Sequence, residues 1–408
     1  MLRTDAAFGE HADGRASRSR RPSLLAVGSA LLIVAGLAVF AFAALRATDD
    51  ASRAAGGEVA TGLNFSCYAF RDVNRDGVYD TADRPYAALT VEGSGPNGTL
   101  LANSNSAGFA NFDVLLDGEA TSLVDRPGTY SFVATAPEGW MITTDSTPRA
   151  VEFVEMTGSP TGLAPSGQCE PFGVAPLLTI SGTTAVSAVS TGATVTVESS
   201  SGARLDPSVS GDSFGVPVEA GEWTVNLASD AGAESRRVLV GDVPVLLSQL
   251  NPDREAVQPL PRSVVVGFDD FTAADTLTEV PNGYAGLNWS NWVSTHRLVY
   301  AGPGYNNVGT SGEFVAYNGS GNPATVSSPE PFDFVGVNVG VAWPAAEEFA
   351  VEVRGWRAGE LVYSDTIPGR TAGAVYFAAD YRSIDRLEIT SAANWQVVID
   401  DAEFRLGS

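Results

Sequence analysis

Between Asp72 and Asp83 the chain reads DVNRDGVYDTAD, with oxygen-bearing residues at regular intervals. Asp72, Asn74 and Asp76 take positions one, three and five, Gly77 position six, Asp80 nine and Asp83 twelve. With the Val78 carbonyl at seven, this is the spacing of a twelve-residue calcium loop, whose hard oxygen donors surround a hard dication at about 2.3–2.6 Å. The glycine allows the sharp turn. Four carboxylates crowd this stretch with only Arg75 and Arg84 nearby, and a dication relieves their repulsion. The alternative is a solvated acidic turn. Position twelve is Asp, shorter than the usual Glu. The flanks, LNFSCYAF and YAALTVEG, read as strands and not as helices.

Two acidic pairs sit far apart in sequence, Asp269–Asp270 in FDDF and Asp400–Asp401 in IDDAEF. If the first and last strands of one β-module are neighbours, these carboxylates share a structural calcium; otherwise they are strand-end acids facing solvent. Aromatics and amides mix in NGYAGLNWSNW and in GYNN through AYNGSGN. Sugar rings need an aromatic face to stack on and amide partners for their hydroxyls. Trp292, Tyr305, Asn306, Tyr317 and Asn318 are therefore the candidate glycan contacts, against the alternative that they are core. Of the two histidines, only His296 in STHRLVY lies past the N-terminal region, and a lone histidine reads as structural. No nucleophile elbow, zinc-ligand cluster or phosphate loop is present, so a non-catalytic protein is expected. Two carboxylates suffice for a glycosidase, so composition alone does not exclude one. Cys67 and Cys169 are expected to pair outside the cytoplasm, the alternative being two buried thiols.

These residues need elements to position them. The 408 residues include 48 acids and 24 basic residues, all Arg, for a net charge of -24. Such a chain is not expected to bind nucleic acid. The basic GRASRSRRPS precedes an uncharged run, Leu24 to Leu45, which as a helix is about 33 Å long. The positive-inside rule leaves residues 1–23 in the cytoplasm and 46–408 outside, as a single-pass cell-membrane protein. The alternative is secretion after signal-peptide cleavage near Ala43. Residues 46–62 read as a flexible stalk.

Beyond the stalk, runs such as TYSFVAT, ATVTVES, EWTVNLAS and FAVEVRGW alternate apolar and polar residues between turn signals. The expected fold is all-β, with three antiparallel β-sandwich or jelly-roll domains behind one transmembrane helix. Proline-rich boundaries divide it into 63–176, 177–256 and 257–408. The middle segment shows no site and reads as a spacer.

Residues 64–176, with CYAFRDVNRDGVYDTADRPYAALTVEG, SAGFANFDVL and GTYSFVATAPEGW, resemble the SdrD-type B domain of bacterial surface proteins. The resemblance implies a prealbumin-like, calcium-stabilised extracellular spacer. Relatives that form an internal isopeptide bond need a Lys, and this chain has none. Residues 263–408 hold five of the seven tryptophans and, with PFDFVGVNVGVAW and VEVRGWRAGELVYSDTI, resemble a C-terminal carbohydrate-binding-like jelly roll of secreted bacterial and fungal proteins. The expectation is a cell-surface or secreted protein whose calcium-stabilised domains present a module that binds a glycan or other surface ligand. The alternatives are an envelope or adhesion protein that binds another protein, and the accessory domains of a glycan-active enzyme.

Overall fold

Period-two alternation becomes strand almost everywhere. The computed structural model describes residues 63–114, 122–145, 147–185, 193–254, 256–270, 277–347 and 349–407. The expected cytoplasmic tail, membrane segment and stalk lie outside these residues. Among the described residues no helix is long and apolar enough to cross a membrane. The α-helical content among them is the six-residue Pro303–Val308. Residues Ala60–Ser408 form one compact unit.

In the N-terminal third, strand Leu63–Arg71 runs antiparallel to Phe109–Val114 and Arg84–Pro85, and parallel to Cys169–Pro176. A second, antiparallel sheet has the order 98–103, 90–95, 128–135, 149–155 and 163–165. The alternating apolar residues of both sheets meet in a core centred on Phe65, Phe112, Tyr130, Phe132 and Phe153. Cys67 and Cys169 are register partners on the parallel pair and form the expected disulfide, Cα–Cα 5.1 Å.

The middle segment buries Ile180, Val197, Phe214, Val225 and Leu247 between two further sheets. Its strand Thr179–Thr183 runs parallel to Val245–Leu247, which in turn runs parallel to Val375–Ser391 of the C-terminal part. One fourteen-stranded sheet therefore continues from the middle segment into the C-terminal part. There, the long strands Ala324–Val341, Val375–Ser391 and Val397–Leu406 carry a core that includes Phe268, Trp289, Trp292, Phe334, Phe377 and Phe404.

The expectation of purely antiparallel sheets is corrected by these three parallel pairings. Tight turns enforce antiparallel neighbours, whereas parallel pairing needs a crossover of a dozen or more residues. Each parallel pair here joins strands far apart in sequence, a relation that no local pattern encodes.

Candidate calcium loop and the junction beside it

Strand Leu63–Arg71 ends where Asp72 turns its carboxylate back into the loop. Asp72 is buried, and its oxygens accept from the Asp76 N–H at 3.2 Å and the Gly77 N–H at 2.9 Å. Asp83 closes the other end, accepting from Val73 N–H at 3.0 Å and Asp80 N–H at 2.9 Å. Burial raises the pKa of Asp83, and these two N–H bonds oppose the rise. Asp76 accepts from Val78 N–H at 2.8 Å, and Asp80 from Ala82 N–H at 2.7 Å. Asn74 Nδ2 donates to Asp76 Oδ2 at 2.9 Å and approaches Asp80 Oδ2 at 3.5 Å. Gly77 has φ 76°, and a Cβ there would stand 2.9 Å from the Thr143 carbonyl oxygen. The turn therefore requires glycine on two counts.

The donor set suits calcium: every group is an oxygen donor on a short loop, and two carboxylates converge on one point, where the Asn74 amide now lies. Among the described residues, however, no three His, Cys, Asp or Glu side chains are gathered closely enough to hold an ion. The loop is closed by its own amides.

Both ends of the loop lead into a junction. Arg71, buried, donates to Asp242 Oδ2 of the middle segment at 2.6 Å. Arg75 donates to the Pro176 carbonyl at 2.6 Å. Immediately after Asp83, Arg84 donates to Gly309 O at 3.3 Å, and Pro85 O accepts from Asn306 Nδ2 at 2.8 Å. Asn307 accepts from Ala87 N–H and donates to Ala87 O, each at 3.0 Å, and also donates to Thr371 O at 3.1 Å. Tyr86 Oη donates to Ala372 O at 2.9 Å, and its ring packs on Trp140. Loop 72–83 is thus bracketed by residues that bond to the two other segments.

That arrangement corrects the glycan candidates. Trp292, Tyr305, Asn306, Tyr317 and Asn318 are all buried, at 5% exposure or less. Trp292 packs edge-on to Trp289, and Tyr305 is enclosed by Tyr300, Tyr317 and Trp343. Asn318 caps backbone, accepting from Val397 N–H at 2.6 Å and donating to Asn322 O at 2.8 Å. None offers a face to a sugar. Aromatic rings bury large apolar areas, and the sandwich interior uses them for that. Asn306 and its neighbour Asn307 serve the junction instead. Asn307 was missed by sequence reasoning, although it stands in the same GYNN string.

The second acidic set assembles in part. Asp400 is fully buried and accepts from Thr310 N–H at 2.7 Å, Ser311 N–H at 2.9 Å and Asp401 N–H at 2.8 Å. Asp401 accepts from Ser311 Oγ at 2.6 Å and Thr310 Oγ1 at 2.8 Å. Asp269 lies beside them, its Oδ1 accepting from Glu313 N–H at 2.8 Å and Phe314 N–H at 3.1 Å, and a Cβ placed on Gly267 would have Ser311 Oγ, Asp401 Oδ1 and Asp269 Oδ2 within 3.2–3.6 Å. Asp270 does not; it accepts from the Tyr284 hydroxyl. Burial, then the neighbouring Asp401 charge, pushes Asp400 up to about 7 against the pull of the backbone N–H bonds. Thr310, Ser311 and Asn338 complete this cluster, and no sequence signal pointed to them. His296 stands apart, its Nδ1 accepting from Leu298 N–H at 3.2 Å and its Nε2 3.4 Å from Glu313.

No family model and no curated protein matches this sequence. Among solved structures, the chain is similar to the Bacillus anthracis TIE protein, with 9% identity, TM-score 0.22, and 79% of this chain and 51% of that one covered. It is also similar to GBS52, the minor pilin of Streptococcus agalactiae, with 11% identity, TM-score 0.17 and coverage of 48% and 99%. A third likeness is to the CBM51-2 and INT domains of Clostridium perfringens ZmpB, with 13% identity, TM-score 0.19 and coverage of 47% and 38%. The chain spans about half the length of the TIE protein, and no family membership follows from these likenesses.

Proposed function

We propose that this is a non-catalytic, extracellular β-protein in which calcium at loop 72–83 stiffens a junction that holds the C-terminal part in a fixed orientation for ligand display. The observation that carries the reading is the position of the loop between Arg71 and Arg84, which bond to the middle and C-terminal segments respectively. Asp72, Asn74, Asp76, Asp80 and Asp83, with the Val78 carbonyl, would hold the ion. It would replace the Asn74 amide as the bridge between Asp76 and Asp80, once Asn74 turns its Oδ1 inward. Asp400 and Asp401, with Asp269 beside them, would offer a second, all-oxygen set if their side chains drew together. The Cys67–Cys169 disulfide supports an oxidising compartment, hence display outside the cytoplasm by an anchor at 24–45 or by secretion.

The test is calorimetric titration of the full chain with calcium and with magnesium, repeated on Asp76→Ala. Calcium-selective heat that disappears in the variant supports the loop. No calcium-selective heat in either protein would sink the calcium reading. Amide hydrogen exchange at the 84–88 and 303–309 junction should slow when calcium is bound.

A further inference from the structure

The outer face of strand Leu63–Arg71 carries aromatic rings that the core does not use. Outward positions on a strand recur every second residue, roughly 6.6 Å apart. Ser66 and Tyr68 take two of them, and their register partners on strand Phe109–Val114 are Asn111 and Phe109. A polar pair and an aromatic pair therefore stand next to each other on one sheet face. Tyr79, from loop 72–83, joins them: Tyr68 packs on Phe109 with ring centroids 5.1 Å apart and on Tyr79 with centroids 5.0 Å apart. Gly108 makes room for the Tyr68 ring, because a Cβ there would stand 2.7 Å from its Cε2. Phe109 and Tyr79 are 43% and 50% exposed, whereas every ring first considered for a sugar in the C-terminal part is buried.

The rings border an open depression of about 480 Å³, lined also by Ser66 and Gln168 and by no charged side chain. Its polar groups have bonding capacity to spare. Ser66 Oγ donates to Asn111 Oδ1 at 2.7 Å, and among the described residues neither Asn111 Nδ2 nor the Gln168 amide has a protein partner. Open aromatic surface beside unused amides suits a ligand that is apolar on one side and hydroxylated on the other, as a sugar ring is. The uncharged lining holds no partner for a carboxylate, sulfate or ammonium group. Strand Leu63–Arg71 is paired on both sides, with 109–114 and 169–176, so this face offers no free backbone edge to an incoming peptide. A second copy docked through the same face would bring two acidic loops together, which is unfavourable in a chain of net charge -24. We propose that this face binds a neutral glycan, one sugar ring packing on Tyr79 and Phe109 while its hydroxyls bond to Gln168 and Asn111. The sugar site then belongs to the N-terminal third and not to the tryptophan-rich C-terminal part.

The probes are neutral hexasaccharides of glucose, mannose, galactose or N-acetylglucosamine, fluorescently labelled at the reducing end, titrated into the full chain and read by anisotropy. The titration is run in chelator, so its outcome does not depend on the calcium reading of loop 72–83. We expect saturable binding of at least one hexasaccharide, weakened roughly tenfold by Tyr79→Ala and by Phe109→Ala, and less by Gln168→Ala. Tyr79→Phe and Phe109→Tyr keep the rings and should keep the binding, which separates a stacking role from damage to the fold. Absence of saturable binding for all of the hexasaccharides overturns the proposal. So does binding indifferent to both alanine variants, or binding lost equally in the conservative ones. Self-association of the full chain that Phe109→Ala abolishes would give the face to a second copy and overturn it as well.

Discussion

The two acidic clusters share a composition and differ in construction. Loop 72–83 is a single run of twelve residues whose carboxylates, apart from Asp72 and the half-buried Asp83, face solvent and accept hydrogen bonds from amides of the same loop. The 269/400/401 cluster draws on strand ends some 130 residues apart and sinks Asp400 completely into the protein. The difference is one of dielectric. Exposed carboxylates tolerate one another through water, whereas a buried pair shifts its titration or takes a counter-charge. The N-terminal cluster is therefore a matter of occupancy, and the C-terminal one of stability.

The largest effect should separate the regions by redox chemistry. The Cys67–Cys169 bond closes a 102-residue span in the N-terminal third, and among the described residues no cysteine serves the C-terminal part. Cys67→Ser with Cys169→Ser should cost up to about 4.7 kcal/mol on a chain-entropy estimate. Hydrogen exchange should locate that loss in 63–176. Equal loosening of 263–407 would break the comparison.

Next comes Asp400. Asp400→Ala leaves the Thr310, Ser311 and Asp401 N–H groups without their acceptor and should cost about 3 kcal/mol in denaturant melts. Its pH signature sharpens the point. The folded pKa, about 7, lies above the ordinary value near 3.9, so the folded state binds the proton first. The stability this proton contributes is fully present below about pH 4 and is lost as pH rises through about 7. In chelator, wild type should thus be more stable at pH 5 than at pH 7.5, by a margin that Asp400→Asn removes. Calcium that abolishes the margin at pH 7.5 would place the ion in this cluster.

Smaller effects probe the junction and the loop. Asn307→Ala removes two bonds across the junction, to Ala87, and one within the C-terminal part, to Thr371, and should cost about 2 kcal/mol, more than Phe109→Ala at the exposed end of its strand. Calcium at a few times its dissociation constant should add about 1 kcal/mol, seen as a modest rise in melting temperature that Asp76→Ala eliminates. An equal rise in that variant would mean general screening of an acidic surface.

The legible parts of the molecule were those written locally. Strand alternation and the glycine of the 72–83 turn could be read along the chain, and the disulfide followed from two cysteines expected outside the cytoplasm, though their parallel register did not. Asp400 and Asp401 show where such reading stops. In a regular strand they would face opposite sides, yet both accept from the Thr310 hydroxyl, because Asp401 takes a φ of 47° at a bulged register. The tryptophans and amides of the C-terminal part misled for a related reason. Aromatic and amide residues suit a sugar site and a packed junction equally well, and only burial separates the two. Asn306 carries the composition of a binding loop and the contacts of a hinge pin.

The parallel pairing of the strands at 63–71 and 169–176, clamped by the disulfide, also sets how the N-terminal third carries load. A pull applied to the chain on either side of this region enters at the first strand and crosses the sulfur–sulfur bond to the last. It bypasses the 102-residue separation between the cysteines, and with it the acidic loop and the whole second sheet. Roughly 350 Å of extensible chain is thereby taken out of the force path. Under tension this region should behave as a short, nearly inextensible link that stays folded while its neighbours give way, and only a reductant would release its hidden length.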